Sequence, residues 1–286
     1  MLRIVDGFVY EGKPSPDRWE VVTHDIGGHR EASVRRCIDW VESGPLDPDS
    51  IAAQVLRGER EDPNADDKRE ANARRAARRA KTRVRRLCKA QGLDTLLTLT
   101  YRALQDDLEL AKRHFQLLSK RMARCLGGFC YVAAFEPQKR GAWHVHVVTH
   151  RMPSVIVRQG VKVKSWNVIR AMWRDIVGDL GGNIDVSGRR KLLRSPAKCA
   201  AYVSKYVLKA FEEGADHAKR YLASRCEIPE AVRTQMRGVA DADVRHLMAT
   251  AFEWCSERRS VASVWLSRFG DTFFVAAEPP PNRQKS

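Results

Sequence analysis

The chain has 286 residues, with 51 Lys and Arg against 35 Asp and Glu, a formal charge of +16 and a sequence pI near 9.8. Such a field attracts polyanions and makes nucleic acid the economical partner, while the length suits one domain with appendages. No apolar run nears the roughly 20 residues that span a bilayer, so no membrane partner is expected, and Met1 to Gly7 lack the apolar stretch of a signal peptide, so a cytoplasmic protein is expected.

Residues 1–64 read as an N-terminal accessory region. They carry turn signals at Lys13-Pro-Ser-Pro16, Gly27-Gly28 and Gly44-Pro-Leu-Asp-Pro48, and a short helix is expected between Arg30 and Trp40. Residues 65–92 read as a basic helix, capped by Asp66 or Asp67 and ended by Gly92. From Lys68 to Lys89 it holds eleven Lys or Arg against one acid, Glu70. Like charges four residues apart repel within a helix, and a phosphate backbone would relieve that repulsion. Arg74, Arg75, Arg78, Arg79, Arg83 and Arg86 are therefore candidate DNA contacts.

A core over 93–211 follows. Leu93 to Tyr101 reads as a strand, and Asp106 to Leu126 as an amphipathic helix with Leu108, Ala111, Phe115, Leu118 and Met122 turned inward. The segment Tyr131-Val-Ala-Ala-Phe-Glu136, then Pro-Gln-Lys-Arg-Gly-Ala, then Trp143-His-Val-His-Val-Val148 reads as a hairpin. A three-residue loop of Lys139, Arg140 and a left-handed Gly141 sets Glu136 opposite His144, and alternation puts His146 on the same face. One carboxylate and two imidazoles then converge on a volume suited to a divalent ion, with positions left open for substrate. Lys139 and Arg140, at the tip, are further candidate DNA contacts.

Val155 to Val163 reads as a strand or extended segment, Ser165 as the cap of a helix reaching about Val177, and Asn183 to Ser187 as another strand. Pro196 opens a helix whose run Ala200-Ala-Tyr-Val-Ser-Lys-Tyr-Val-Leu-Lys-Ala-Phe211 brings Tyr202, Lys205, Tyr206 and Lys209 within one arc, with Ala200, Val203, Val207, Leu208 and Phe211 on the other side. Residues 212–286 read as a C-terminal accessory region. It holds helical segments over Ala215 to Ala223 and Asp241 to Cys255, a hairpin turning near Gly270-Asp271, and a disordered tail from Pro279. The seven cysteines, at 37, 88, 125, 130, 199, 226 and 255, include no Cys-x-x-Cys pair. Neither a zinc ribbon nor a disulfide framework is written, and reduced packing thiols are expected.

Three blocks in order resemble the HUH endonucleases, and within them the rolling-circle replication initiators. Leu96-Leu-Thr-Leu-Thr-Tyr101 looks like the first motif. His144-Val-His146, with Glu136 upstream, is similar to the second. Tyr202-Val-Ser-Lys205 and Tyr206-Val-Leu-Lys209 look like the third, written twice in overlap. The doubling resembles two-tyrosine initiators, and the text from Thr98 through Lys209 looks closest to those of filamentous, inovirus-type phages. The resemblance implies an α+β fold: an antiparallel palm-like HUH sheet with packed helices, the histidine strand central and the tyrosine helix beside it, to which this chain adds the basic helix and the C-terminal appendage.

It also implies a site-specific single-stranded DNA endonuclease and strand transferase of the bacterial host cytoplasm. Glu136, His144 and His146 would hold Mg²⁺ or Mn²⁺, although ligand chemistry alone would equally admit zinc. Tyr202 and Tyr206 would be the nucleophiles, aided by Lys205 and Lys209. The partners would be single-stranded origin DNA and the host's polymerase and helicase, since no Walker-type segment is present. An HUH relaxase or transposase, a basic DNA-binding regulator with structural histidines, and a zinc hydrolase are the competing readings.

Overall fold

The computed structural model describes residues 1–158, 160–186, 195–212 and 221–280, and of these the side chains of 158 and 208–212 are outside the description. In chain order the elements are β1 (Leu2–Val5), β2 (Phe8–Ile26), β3 (His29–Pro45), α1 (Ile51–Leu56), α2 (Ala65–Ala90), β4 (Thr95–Tyr101), α3 (Leu108–Leu126), β5 (Tyr131–Pro137) and β6 (Trp143–Thr149). There follow β7 (Val155–Arg158), β8 (Val161–Lys164), α4 (Ser165–Val177), β9 (Gly182–Val186), α5 (Pro196–Glu212), β10 (Tyr221–Ala223), β11 (Val232–Met236), α6 (Val244–Ser256), β12 (Ser260–Leu266) and β13 (Thr272–Glu278). The chain is α+β and divides into two compact units, Ala71–Ile228 and Met1–Glu70 with Pro229–Ser286.

The first of these units is built on an antiparallel sheet of order β10-β5-β6-β4-β9, with the histidine strand β6 in the middle. Period-two alternation sorts its side chains into two layers. Leu97, Leu99, Ala133, Phe135, Val145 and Val147 pack with Phe115, Leu118 and Met122 of α3 and with Ile169 and Trp173 of α4. Leu96, Val132, Ala134 and Val148 pack on the opposite face with Ala80, Val84 and Leu87 of α2 and with Cys199, Ala200, Val203 and Val207 of α5. The α3 expectation holds: Asp107 caps the helix by accepting from the Glu109 and Leu110 amides, and Gly127 ends it at φ 72°.

The other unit joins the two ends of the sequence in one sheet, β1-β2-β3-β13-β12, with β11 also on β2 and α6 packed on one face around Trp19, Val34 and Val275. Several local expectations are corrected. Arg30 to Trp40 is not a helix but part of β3, whose 17 residues pair with the 19 of β2. Its backbone groups are satisfied by two neighbouring strands, one of them β13 from the far end of the chain, and no local propensity encodes that. Ser165 does not cap α4: Lys164 stands at the N-cap, and the Ser165 hydroxyl donates instead to the Pro153 carbonyl.

Asp66 and Asp67 lie in the first turn of α2 rather than before it. Gly92, at φ 62°, ends that helix as expected, with the Leu93 amide reaching back to the Cys88 carbonyl. Tyr221–Ala223, expected to be helical, is the strand β10 on the edge of β5, while the rest of that segment lies outside the described residues. So do Ser187 and the tail from Asn282 onward. The helix near Asp241 and the hairpin about Gly270 form as expected, in α6 and β12-β13.

Candidate active site

The hairpin register matches the expectation from loop length. Gln138 donates its amide to the Ala142 carbonyl at 2.9 Å, Gly141 adopts φ 88°, and Glu136 stands opposite His144. One strand over, His146 is opposite both Ala134 and Thr98, and Thr98 is opposite Asp185. Alternation therefore gathers Glu136, His144, His146, Thr98 and Asp185 on the face covered by α2 and α5. Thr98 was legible in the sequence as a polar position of Leu96-Leu-Thr-Leu-Thr-Tyr101, yet its link to the histidine required knowing that β4 and β6 are neighbours.

His146 is buried, and its Nε2 lies 2.9 Å from Glu136 Oε2. A carboxylate only accepts, so Nε2 carries the hydrogen of the neutral ring and Nδ1 accepts from the Thr98 hydroxyl at 3.4 Å. Burial pulls the pKa of His146 down against the opposing pull of Glu136, and burial together with the neighbouring His146 pulls down that of His144. Neutral imidazoles with available lone pairs are the form a cation binds. Among the described residues, no group of three or more His, Cys, Asp or Glu side chains stands in ready metal-ligand geometry. Glu136 and His146 bond each other directly, and the His144 ring is centred 6.5 Å from that of His146.

Both tyrosines meet these residues. The Tyr206 ring stacks on His146 at 3.9 Å and 13°, the Tyr202 ring lies 6.0 Å from it, edge-on, and the two hydroxyls are 2.8 Å apart. The phenols are half-buried beside the Val203 and Val207 layer rather than fully displayed opposite it. The arc they share is turned toward the polar face of the sheet, where His146 supplies a flat partner. Burial, and after it the bond to Tyr202, raises the pKa of Tyr206. Lys205 is exposed, and the side chain of Lys209 lies outside the described residues.

The basic residues separate into different roles. Arg74, Arg75, Arg78, Arg79 and Arg83 are exposed along α2 and Arg86 is half-exposed, while Lys89 is buried at 3% accessibility and leaves that face. Lys139 is exposed at the hairpin tip. Arg140 is instead a brace, donating to the Arg102 and Tyr101 carbonyls at 3.0 and 2.5 Å. Charge is divided unevenly between the units: residues 71–228 carry 33 Lys and Arg against 12 Asp and Glu, the remainder 18 against 23. The whole basic excess thus belongs to the unit that holds the histidines and tyrosines.

Residues 94–211 match the family model of the ORF2-type replication-associated proteins. The matched stretch runs from just before β4 to the end of α5, and the match supports a replication initiator family and a role in replication initiation for it. Comparison with curated proteins and with solved structures returns no match. No helix among the described residues is long and apolar enough to cross a membrane.

Proposed function

We propose that this chain is a two-tyrosine HUH initiator of rolling-circle replication, which nicks single-stranded origin DNA, holds the 5′ end as a phosphotyrosine and later rejoins the strand. The observation that carries this reading is the contact of Tyr202 and Tyr206 with His146, whose Nε2 meets Glu136 at 2.9 Å. A packing role for the histidine would not call for a carboxylate and two phenols around one buried imidazole.

The donor set suits a divalent cation. Neighbouring ligands of an octahedral ion with bonds of about 2.1 Å stand about 3 Å apart, and the 2.9 Å between His146 Nε2 and Glu136 Oε2 has that span. Glu136, His144 and His146 would hold Mg²⁺ or Mn²⁺, His144 completing the set by turning inward. When bound, the ion would supply Lewis-acid polarisation of the scissile phosphate.

The chain's own groups do the rest. Thr98 fixes the His146 ring through Nδ1, as outer partners of ligating histidines do. The exposed face of α2 holds the strand by its phosphates. A tyrosine oxygen attacks phosphorus, the phenolic proton is lost, and the bond to the 3′ oxygen breaks. One ester is exchanged for another, so the energy of the broken bond is retained for rejoining. Lys205 favours the phenolate by its charge. Two phenols one turn apart let the second attack a newly made origin while the first still holds the old end. The freed 3′ hydroxyl primes a host polymerase, and strand separation is left to a host helicase.

The test is a labelled single-stranded origin incubated with protein and Mn²⁺. An SDS-resistant adduct is expected, lost in the Tyr202→Phe, Tyr206→Phe double variant. An adduct that survives the double change would assign the nucleophile elsewhere. The second reading, a regulator with structural histidines, is favoured by the direct Glu136 to His146 bond and the half-burial of both tyrosines. Tight DNA binding with no cleavage in any divalent metal would establish it.

A further inference from the structure

Cys130, just before β5, and Cys226, just after β10, have their sulfurs 2.8 Å apart, closer than van der Waals contact and approaching the roughly 2.0 Å of a bonded pair. Two hydrogen bonds seat the arrangement: the Tyr131 amide donates to Ser224 Oγ at 2.9 Å, and the Ser224 amide donates to the Tyr131 carbonyl at 3.0 Å. Ser224 Oγ is also 3.3 Å from both sulfurs. Both cysteines are half-buried rather than sealed, unlike Cys88 and Cys199 in the same layer, which are fully buried.

We propose that Cys130 and Cys226 form a dithiol modification site, closed to a disulfide by a small-molecule disulfide and reopened by a thiol. One thiolate attacks a sulfur of the reagent and releases one reagent thiol, leaving a mixed disulfide. The second thiolate attacks the protein sulfur of that bond and releases the other reagent thiol. Two electrons pass from protein to reagent, and two protein S–H bonds are exchanged for one S–S bond.

The position gives the bond a consequence. Strand β10 has only three residues pairing with β5, and Cys226 lies two residues before the end of the 71–228 unit. A covalent tie there fastens the edge strand that follows the tyrosine helix onto the strand that carries Glu136. It also closes a chain loop of nearly a hundred residues, the kind of constraint that depletes the unfolded ensemble most.

The experiment uses the full chain treated with oxidised glutathione, then denatured, alkylated and digested without reduction. The expected result is a mass loss of two hydrogens, a cross-linked peptide pair containing Cys130 and Cys226, and alkylation of the other five cysteines. The oxidised protein should melt several degrees above the reduced one, and Cys130→Ser or Cys226→Ser should remove that rise. Recovery of both residues alkylated, a glutathione adduct on either that never resolves, or a cross-link to a different cysteine would overturn the proposal. The peptide map needs no variant, so poor folding of either serine variant leaves the outcome decisive.

Discussion

The ring of Tyr206 lies flat on the imidazole of His146, centroids 3.9 Å apart and planes 13° from parallel, while its hydroxyl is 2.8 Å from that of Tyr202. The two phenols are therefore not equivalent. Tyr206 is held by stacking, and burial raises its pKa, whereas the Tyr202 oxygen has the Tyr206 hydroxyl as a donor able to support its phenolate. Tyr202 is expected to attack first. In single-turnover cleavage Tyr202→Phe should lose at least about a hundredfold, consistent with removal of a nucleophile, and Tyr206→Phe should lose far less while impairing the rejoining step. Equal losses in first cleavage would refute the order.

Chelation should abolish cleavage and Mn²⁺ should restore it. Glu136→Ala should lower Mn²⁺ affinity, measured by calorimetry on the protein alone, and remove cleavage with it. Cleavage that persists in EDTA would take the ion out of the mechanism.

Thr98 is a positioning residue, since its only described link to the site is the 3.4 Å contact with His146 Nδ1. Thr98→Val should weaken Mn²⁺ binding by about 10- to 100-fold, the usual cost of losing an outer partner. Thr98→Ser should recover most of it. If Val and Ser behave alike, the hydroxyl has no such role.

Changing Arg74, Arg75, Arg78 and Arg79 to Ala should weaken single-stranded DNA binding uniformly across sequences. The slope of log affinity against log salt should flatten by about 0.7 for each phosphate the variant no longer neutralises. Fluorescence anisotropy over a salt series measures this. An unchanged slope would show that the exposed face of α2 is merely solvated.

Gly182 is where β9 passes under Trp173. A Cβ there would stand 2.5 Å from Trp173 Nε1 and 3.0 Å from the Thr100 carbonyl, the same two groups that bond each other at 3.0 Å. Gly182→Ala should cost about 1–3 kcal/mol, as overpacking does. Denaturant unfolding would report it, and an unchanged midpoint would show that the tryptophan can move aside.

The active-site hairpin was legible because its determinants are local. Loop length and Gly141 set the register, and period-two alternation then settled that Glu136, His144 and His146 share a face. The helices over α2, α3 and α5 were legible for the same reason, their apolar spacing and end signals lying within one segment. The β3 strand was not. Ala, Arg and Glu in Glu31-Ala-Ser-Val-Arg-Arg satisfy helical propensity, and only pairing with β2 and with β13, contributed from residues 272–278, makes the extended form the stable one.

The sequence by itself determined which groups line each element: a carboxylate and two imidazoles on one face of a hairpin, two phenols one turn apart on a helix. Only the tertiary structure decided that Tyr206 covers His146, that Thr98 holds the far nitrogen, that Arg140 braces β4 instead of facing solvent, and that Cys130 meets Cys226. Side-chain periodicity is a property of a few consecutive residues, whereas the apposition of α5, β4 and β6 follows from burying two apolar layers on opposite sides of one sheet. That is a condition on the whole unit.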